Sequence, residues 1–245
     1  MGKLIKAECL KLSKLRSYKI FLLCAAAMGL MMGCTLMYIP AEDLPAVYSG
    51  QDGYSIYMSV ASDIEVFTPL PFIFAILFVC PEFSNRTFSI SLFSGCSRRN
   101  MILAKAIIFL VGLIPIIFVV PLVAGIAGSI ITGFGHADVQ MWGALVQTTL
   151  LAALGHVSVG GFFFMMAVLI KNTVGTIGAG IGLLFGAELL RAFSVFVYPI
   201  EESFLYQTMS LLQLESVGTF IAVTVASLVI TLGVSIASFQ RAELK

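Results

Sequence analysis

Glu188 and Arg191 stand three residues apart in an apolar stretch, a spacing that puts an acid and a base on one helix face. They could pair with each other and snorkel to the surface, or they could form a polar gate. Few other residues of the 245-residue chain are placed to do chemistry. His136, with Asp138 nearby, and His156, inside a long apolar run, have no cluster of partners at ligand spacing; each reads as a loop or packed histidine. There is no H-E-x-x-H for a zinc site and no G-x-S-x-G nucleophile turn, so a membrane hydrolase is not expected. G-x-x-x-x-G-K-[ST] is also absent, so nothing here cradles a nucleotide phosphate, and any drive from ATP has to come from another chain. Nor do the apolar runs carry the series of buried acids that proton- or sodium-coupled carriers use.

The elements that hold these residues are set by hydropathy. With 59% hydrophobic and 11% charged residues and a mean hydropathy of +1.03, the chain is expected to be an all-α polytopic membrane protein in one transmembrane domain, 1–245. Six runs can each cross about 30 Å of hydrocarbon: 19–39, 64–81, 101–132, 142–170, 173–192 and 217–239. Pro69 and Pro71 interrupt the second, and Glu65 opens it. The first is too long for a signal-peptide core and is expected to be retained.

Basic residues fall in alternate loops. Lys3, Lys6, Lys11, Lys14, Arg16 and Lys19 precede or open the first run, and Arg86, Arg98, Arg99 and Lys105 lie around the junction of the second and third. Lys171 parts the fourth from the fifth, and Arg241 and Lys245 close the chain. Between the first and second runs stand Glu42, Asp43, Asp52, Asp63 and Glu65 with no base, and after the fifth Glu201, Glu202 and Glu215 with none. Both termini are therefore expected in the cytoplasm, with 40–62 and 193–216 outside. The second of these, aromatic and apolar, suits a re-entrant or interfacial segment. No outward-facing cysteine pair results, and the cysteines read as small apolar fillers.

On a helix over 3–16, Leu4, Ile5, Leu12 and Leu15 share one side, with Lys3, Lys6 and Lys14 opposite and Lys11 at the border, as for a helix in the membrane interface (1–18). Glu8 falls on the apolar side and Leu10 among the lysines. Either Glu8 leans out to pair with Lys11, or it meets a protein partner. In the fifth run Gly175, Gly178, Gly182 and Gly186 share a face suited to close helix packing, roughly opposite Glu188 and Arg191.

A polar, basic stretch, 81–100, separates the second and third runs and is far longer than a turn requires. Glu82 closing the second run, Arg86-Thr87, then Gly95-Cys96-Ser97-Arg98-Arg99 and Lys105 within the third run resemble the permease subunits of ABC-2 type transporters. The basic start "LIKAECLKLSKLRS", the six runs and the tail "SFQRAELK" resemble the same family. Relatives often carry Asn-Gly-Thr where this chain has Asn85-Arg86-Thr87. The resemblance implies the six-helix architecture of type V-like exporters, with the chain or a similar permease as its dimer partner, in a bacterial plasma membrane. It implies a cytoplasmic ATPase partner that carries the ATP and Mg, no cofactor and no nucleic acid on this chain, and an amphiphilic peptide or lipid-like cargo, as in bacitracin and lantibiotic resistance. Export of a small solute or ion, or a non-transporting scaffold or sensor, are the alternatives. Within 82–99, a coupling helix over Glu82 to Ser94 is expected, supported by a Glu82–Arg86 pair and broken at Ser94-Gly95. Glu82, Phe83, Arg86, Thr87, Phe88, Phe93, Arg98 and Arg99 would meet the ATPase, with Phe88 and Phe93 as its apolar anchors. The bland alternative is that Arg98 and Arg99 only set orientation.

Overall fold

The computed structural model describes residues 1–38, 52–85, 87, 97–135, 139–197 and 217–241, with 37–38, 64–65 and 187–197 given by the backbone. All regular structure among them is helical. Helix α1 (Gly2–Lys14) is parted from α2 (Arg16–Tyr38) by Leu15, whose extended backbone (φ −69°, ψ 111°) turns the chain. The expected apolar side of α1 is its inner side: Leu12 is buried, Leu4, Ile5 and Leu15 are half-buried, and Lys3, Lys6 and Lys14 are exposed. What that side meets is protein, since α1 packs along the chain's longest helix.

The second expected run differs most from the structure. Instead of one helix over 64–81 there is a broken series: α3 (Gly53–Ser62), α4 (Ile64–Phe67), α5 (Pro69–Phe78) and α6 (Cys80–Ser84). Asp63, Thr68 and Val79 stand between the pieces. Each break has a local cause. Asp63 turns its carboxylate to the N–H of Val66 at 3.2 Å, which starts α4 afresh, and Pro69 and Pro81 each stand in the first turn of a new helix, where a missing N–H costs nothing. Residues 53–62, part of the segment expected outside, form a helix that packs into the bundle, with Ile56, Tyr57, Val60 and Ala61 buried. Of the coupling helix expected from Glu82 to Ser94 only the start is described: Glu82 belongs to the single turn of α6, which ends at Ser84 with Asn85 as its cap, and Thr87 is helical; 86 and 88–94 lie outside the described residues.

Helix α7 (Arg98–Thr132) follows, with Pro115 and Pro121 inside it. Then come α8 (Val139–Ile170), α9 (Thr173–Val197) and α10 (Val217–Arg241). Helix α9 thus runs on through 193–197, and the remainder of the expected outer segment, 198–216, is outside the described residues. Among the described residues four helices, 16–36, 98–132, 139–170 and 217–241, are long and apolar enough to cross a membrane; Pro69–Ser84 and Thr173–Gly186 are shorter apolar helices. With Leu23, Ile130, Leu150 and Val229 exposed on the outside of the bundle, this is a membrane protein whose outer apolar faces suit lipid.

Helix α7 is the hub, packed by α1, α2, α3, α8 and α10. Against it α2 sets Gly29 and Gly33, whose bare Cα atoms face the carbonyls of Val120 and Ala124 too closely for any side chain. At the start of α3 the free N–H groups of Gly53 and Tyr54 donate to the carbonyls of Gly133 and Phe134 at 2.9 and 3.2 Å, pinning α3 to the end of α7. Phe74 of α5 is fully buried, with Phe109 of α7 and Phe78 stacked 5.0 and 5.5 Å away. The seam between α8 and α10 is polar: Ser158 and Ser227 share a hydrogen bond. Thr224, Thr231 and Ser235 on the same side of α10 return their hydroxyls to their own helix, so no buried oxygen is stranded.

Candidate functional site

At the end of the bundle that carries α1, four charged side chains meet. Ser97 caps α7 by accepting the N–H of Asn100 at 3.3 Å, so Arg98 and Arg99 occupy the first turn and Lys105 lies two turns inside. Only 2% of the Lys105 side chain is exposed. Its Nζ lies 3.0 Å from Glu8 Oε2 of α1, 2.8 Å from Glu82 Oε1 of α6 and 3.6 Å above the ring of Phe78. Lys11 completes the set from outside, 2.5 Å from Glu8 Oε1 and 3.2 Å from Glu82 Oε1. Two lysines and two carboxylates thus alternate and cancel, which makes a buried ammonium tolerable. The ring face below it adds a cation–π contact.

Glu8 and Lys11 are held in the ionised state by their neighbours. Burial pushes the Glu8 carboxyl up, but Lys105 beside it and hydrogen bonds from both lysines outweigh burial and hold it below the usual carboxylate value. Burial works against the Lys11 ammonium, yet Glu8 and Glu82 hold its pKa above that of a free lysine. Glu8 therefore does pair with Lys11, and its second partner is this chain's own Lys105.

Helix α6 is the crossing point. Three successive side chains of its single turn reach three directions: Glu82 to α1 and α7, Phe83 edge-on to Phe239 of α10 at 6.2 Å, and Ser84 to Thr173 at the start of α9 at 3.3 Å. Every long helix except α2 and α8 is thereby touched from five residues, and α8 is coupled through its two-residue turn into α9. In that turn Lys171 takes a left-handed backbone (φ 57°), and Asn172 accepts the N–H of Val174 at 3.0 Å and that of Thr176 at 2.9 Å. The polar stretch, which α6 opens, runs on directly beyond it.

Of the residues expected to meet an ATPase, Glu82 and Phe83 are engaged inside the chain, Thr87 is half-buried, and Arg98 and Arg99 lie half-buried and exposed at the cap of α7. Arg86, Phe88 and Phe93 fall outside the described residues, as do the side chains of Glu188 and Arg191 on α9. His136 and Asp138 are also outside them. The glycine stripe is not a packing face within the described chain: a Cβ at Gly178, Gly182 or Gly186 would meet nothing within 4 Å, and one at Gly175 meets only Ile170 and Asn172 beside it. The glycine of α9 that does admit a neighbour is Gly180, which faces the ring of Phe72. Lys105 was not among the expected site residues. Its signal was present as a lysine inside an apolar helix, matched by Glu8, an acid on the apolar side of another.

A family model described as "ABC-2 family transporter protein" matches residues 4–187. A search of curated proteins finds no match. The matched region holds α1 to α8, all four members of the charged set and the first turns of α9; on that match the chain belongs to the ABC-2 transporter family.

Proposed function

We propose that the chain is the permease subunit of an ATP-driven exporter, with hydrolysis on a separate cytoplasmic ATPase and both termini on the cytoplasmic side. The observation that carries this is the position of α6. A segment too polar for the membrane is attached to a helical turn whose Glu82, Phe83 and Ser84 hold α1, α7, α10 and α9. A displacement imposed on 86–99 by a closing ATPase pair would reach those helices together. In this reading Phe88, Phe93, Arg98 and Arg99 face the ATPase, while Glu82 and Phe83 pass the displacement inward. Two copies, or this chain and a similar permease, would line the path, spanning the plasma membrane six times each when Pro69–Ser84 and Thr173–Val197 are counted. The stripe of Gly178, Gly182 and Gly186, open among the described residues, suits close approach by a helix of the second permease. Glu188 and Arg191 then serve as a polar gate. An amphiphilic peptide or lipid-like molecule is the cargo that the resemblance favours, with antibiotic resistance as its role.

The test is to purify the tagged chain from its own membranes in mild detergent and measure vanadate-sensitive ATP hydrolysis that rises on reconstitution with lipid. Phe88→Ala with Phe93→Ala should leave insertion intact and remove the co-purifying hydrolysis. A preparation that hydrolyses no ATP, or the same activity in the double variant, overturns the reading.

A further inference from the structure

Away from the charged set, toward the opposite end of the bundle, three irregularities meet around one cavity. The α3–α4 break at Asp63 is bracketed by Val60 and Ala61 on one side and Phe67 and Leu70 on the other; all four line the cavity. Pro121 of α7 also lines it, together with Ile117, whose carbonyl would have received the N–H that proline lacks. The third is His156 of α8, 3% exposed and far from either end of a 32-residue helix.

The imidazole is half satisfied. Nδ1 lies 2.8 Å from the carbonyl oxygen of Ala152. A carbonyl only accepts, so in the neutral ring Nδ1 carries the hydrogen and Nε2 presents a lone pair. Nε2 is buried without a partner. No other side chain that lines the cavity can supply the missing donor. Thr149, the remaining polar one, donates its hydroxyl to the carbonyl of Leu145 at 2.6 Å and so accepts from Tyr57 at 2.7 Å. An acceptor stranded in hydrocarbon is costly, and irregular backbone at membrane depth persists where it is buried in protein or borders water. The cavity has a volume of about 10 Å³, which is the room one water molecule needs.

We propose that this cavity is a binding site for a single internal water, which donates one hydrogen to His156 Nε2 and the other toward the main chain that Pro121 and the α3–α4 break leave open. The broken second run, the proline of α7 and the histidine of α8 are then parts of one hydrated joint, and His156 is a water ligand.

The chain has two histidines, which makes the test direct. The full chain, labelled with ¹⁵N-histidine and held in lipid bilayers, is examined by water-edited solid-state NMR, with His136→Gln assigning the His156 signals. The expected result is an unprotonated Nε2 at the shift of a hydrogen-bonded acceptor, receiving polarisation from water protons. Ala61→Leu, which fills the cavity from α3, should abolish that transfer while the Nδ1–H signal stays. A wild-type Nε2 that receives nothing from water, or polarisation from lipid protons instead, overturns the proposal, and so does transfer that survives in a folded Ala61→Leu chain. The wild-type measurement decides the matter even if that variant does not fold.

Discussion

Lys105→Met is the sharpest perturbation of the charged set, because it removes the ammonium from between two carboxylates and replaces it with an apolar side chain of similar length. Stripping one partner from a buried ion pair costs roughly 3–5 kcal/mol. Glu8 and Glu82 retain 11% and 13% side-chain exposure and keep Lys11, so the lower bound, about 3 kcal/mol, applies. For a chain of this size that is a fall in Tm of about 6–12 °C. Lys11→Met removes a lysine that is 46% exposed and should cost roughly 0.5 kcal/mol, about 1–2 °C. Adding Glu8→Gln to Lys105→Met leaves one acid facing one base, so the double variant should regain part of the loss instead of adding to it. The assay is thermal unfolding of Lys105→Met, Lys11→Met, Glu8→Gln and the double variant in one detergent, followed by size exclusion. pH supplies a second arm. The Glu8 carboxyl is held below its ordinary value of 4.5, so its contribution is complete above 4.5 and is lost as pH falls through the lower folded value. The gap between wild type and Lys105→Met should therefore be flat around neutrality and close in acid. The Lys11 ammonium, held above 10.5, contributes fully below 10.5 and loses its share only as pH rises through the higher folded value. Equal Tm for Lys105→Met and Lys11→Met, or strictly additive losses in the double variant, would refute the reasoning.

Two neighbouring glycines of α9 should behave oppositely. Gly180→Leu drives a side chain into the ring of Phe72 and should lower Tm and folded yield, whereas Gly182→Leu enters open space and should leave the monomer's Tm within about 1 °C; similar losses in both would contradict the packing described. For orientation, cysteines placed at Ser49 and Ser203 in a cysteine-free background should react with an impermeant maleimide added outside intact cells. Labelling only after lysis would invert the topology.

The long helices were legible because hydropathy speaks plainly over twenty residues: 101–132 became Arg98–Thr132 and 217–239 became Val217–Arg241. The second run was less so. Gly53–Ser62 carries Tyr54, Ser55, Tyr57 and Ser59 between Asp52 and Asp63, which in one dimension looks like a loop; only the facing surface of α7, with Gly125 and Gly128 bare, gives it a place to bury. The charged set was half legible. Glu8 stood out as an acid on an apolar side, and Lys105 as a base inside an apolar run, but their meeting is a contact across 97 positions that no local pattern encodes. The glycine stripe was legible as a pattern and misleading as to its neighbour, since spacing shows that a face is bare and not what covers it.

Helix α7 has 35 residues, about 52 Å of rise, against roughly 30 Å of hydrocarbon. Some 20 Å of it must therefore be absorbed by tilt or project from the membrane. From Arg98 to Pro115, the first of two points where a main-chain hydrogen bond is missing, is an arm of about 26 Å. Swinging that arm by about 10° moves its tip about 4–5 Å, close to the pitch of one helical turn. Lys105, seated partway along it, would sweep little more than half that distance, and with Glu8 and Glu82 clamped on it at 3.0 and 2.8 Å the N-terminal helix and the turn that opens the polar stretch would be carried along as freight.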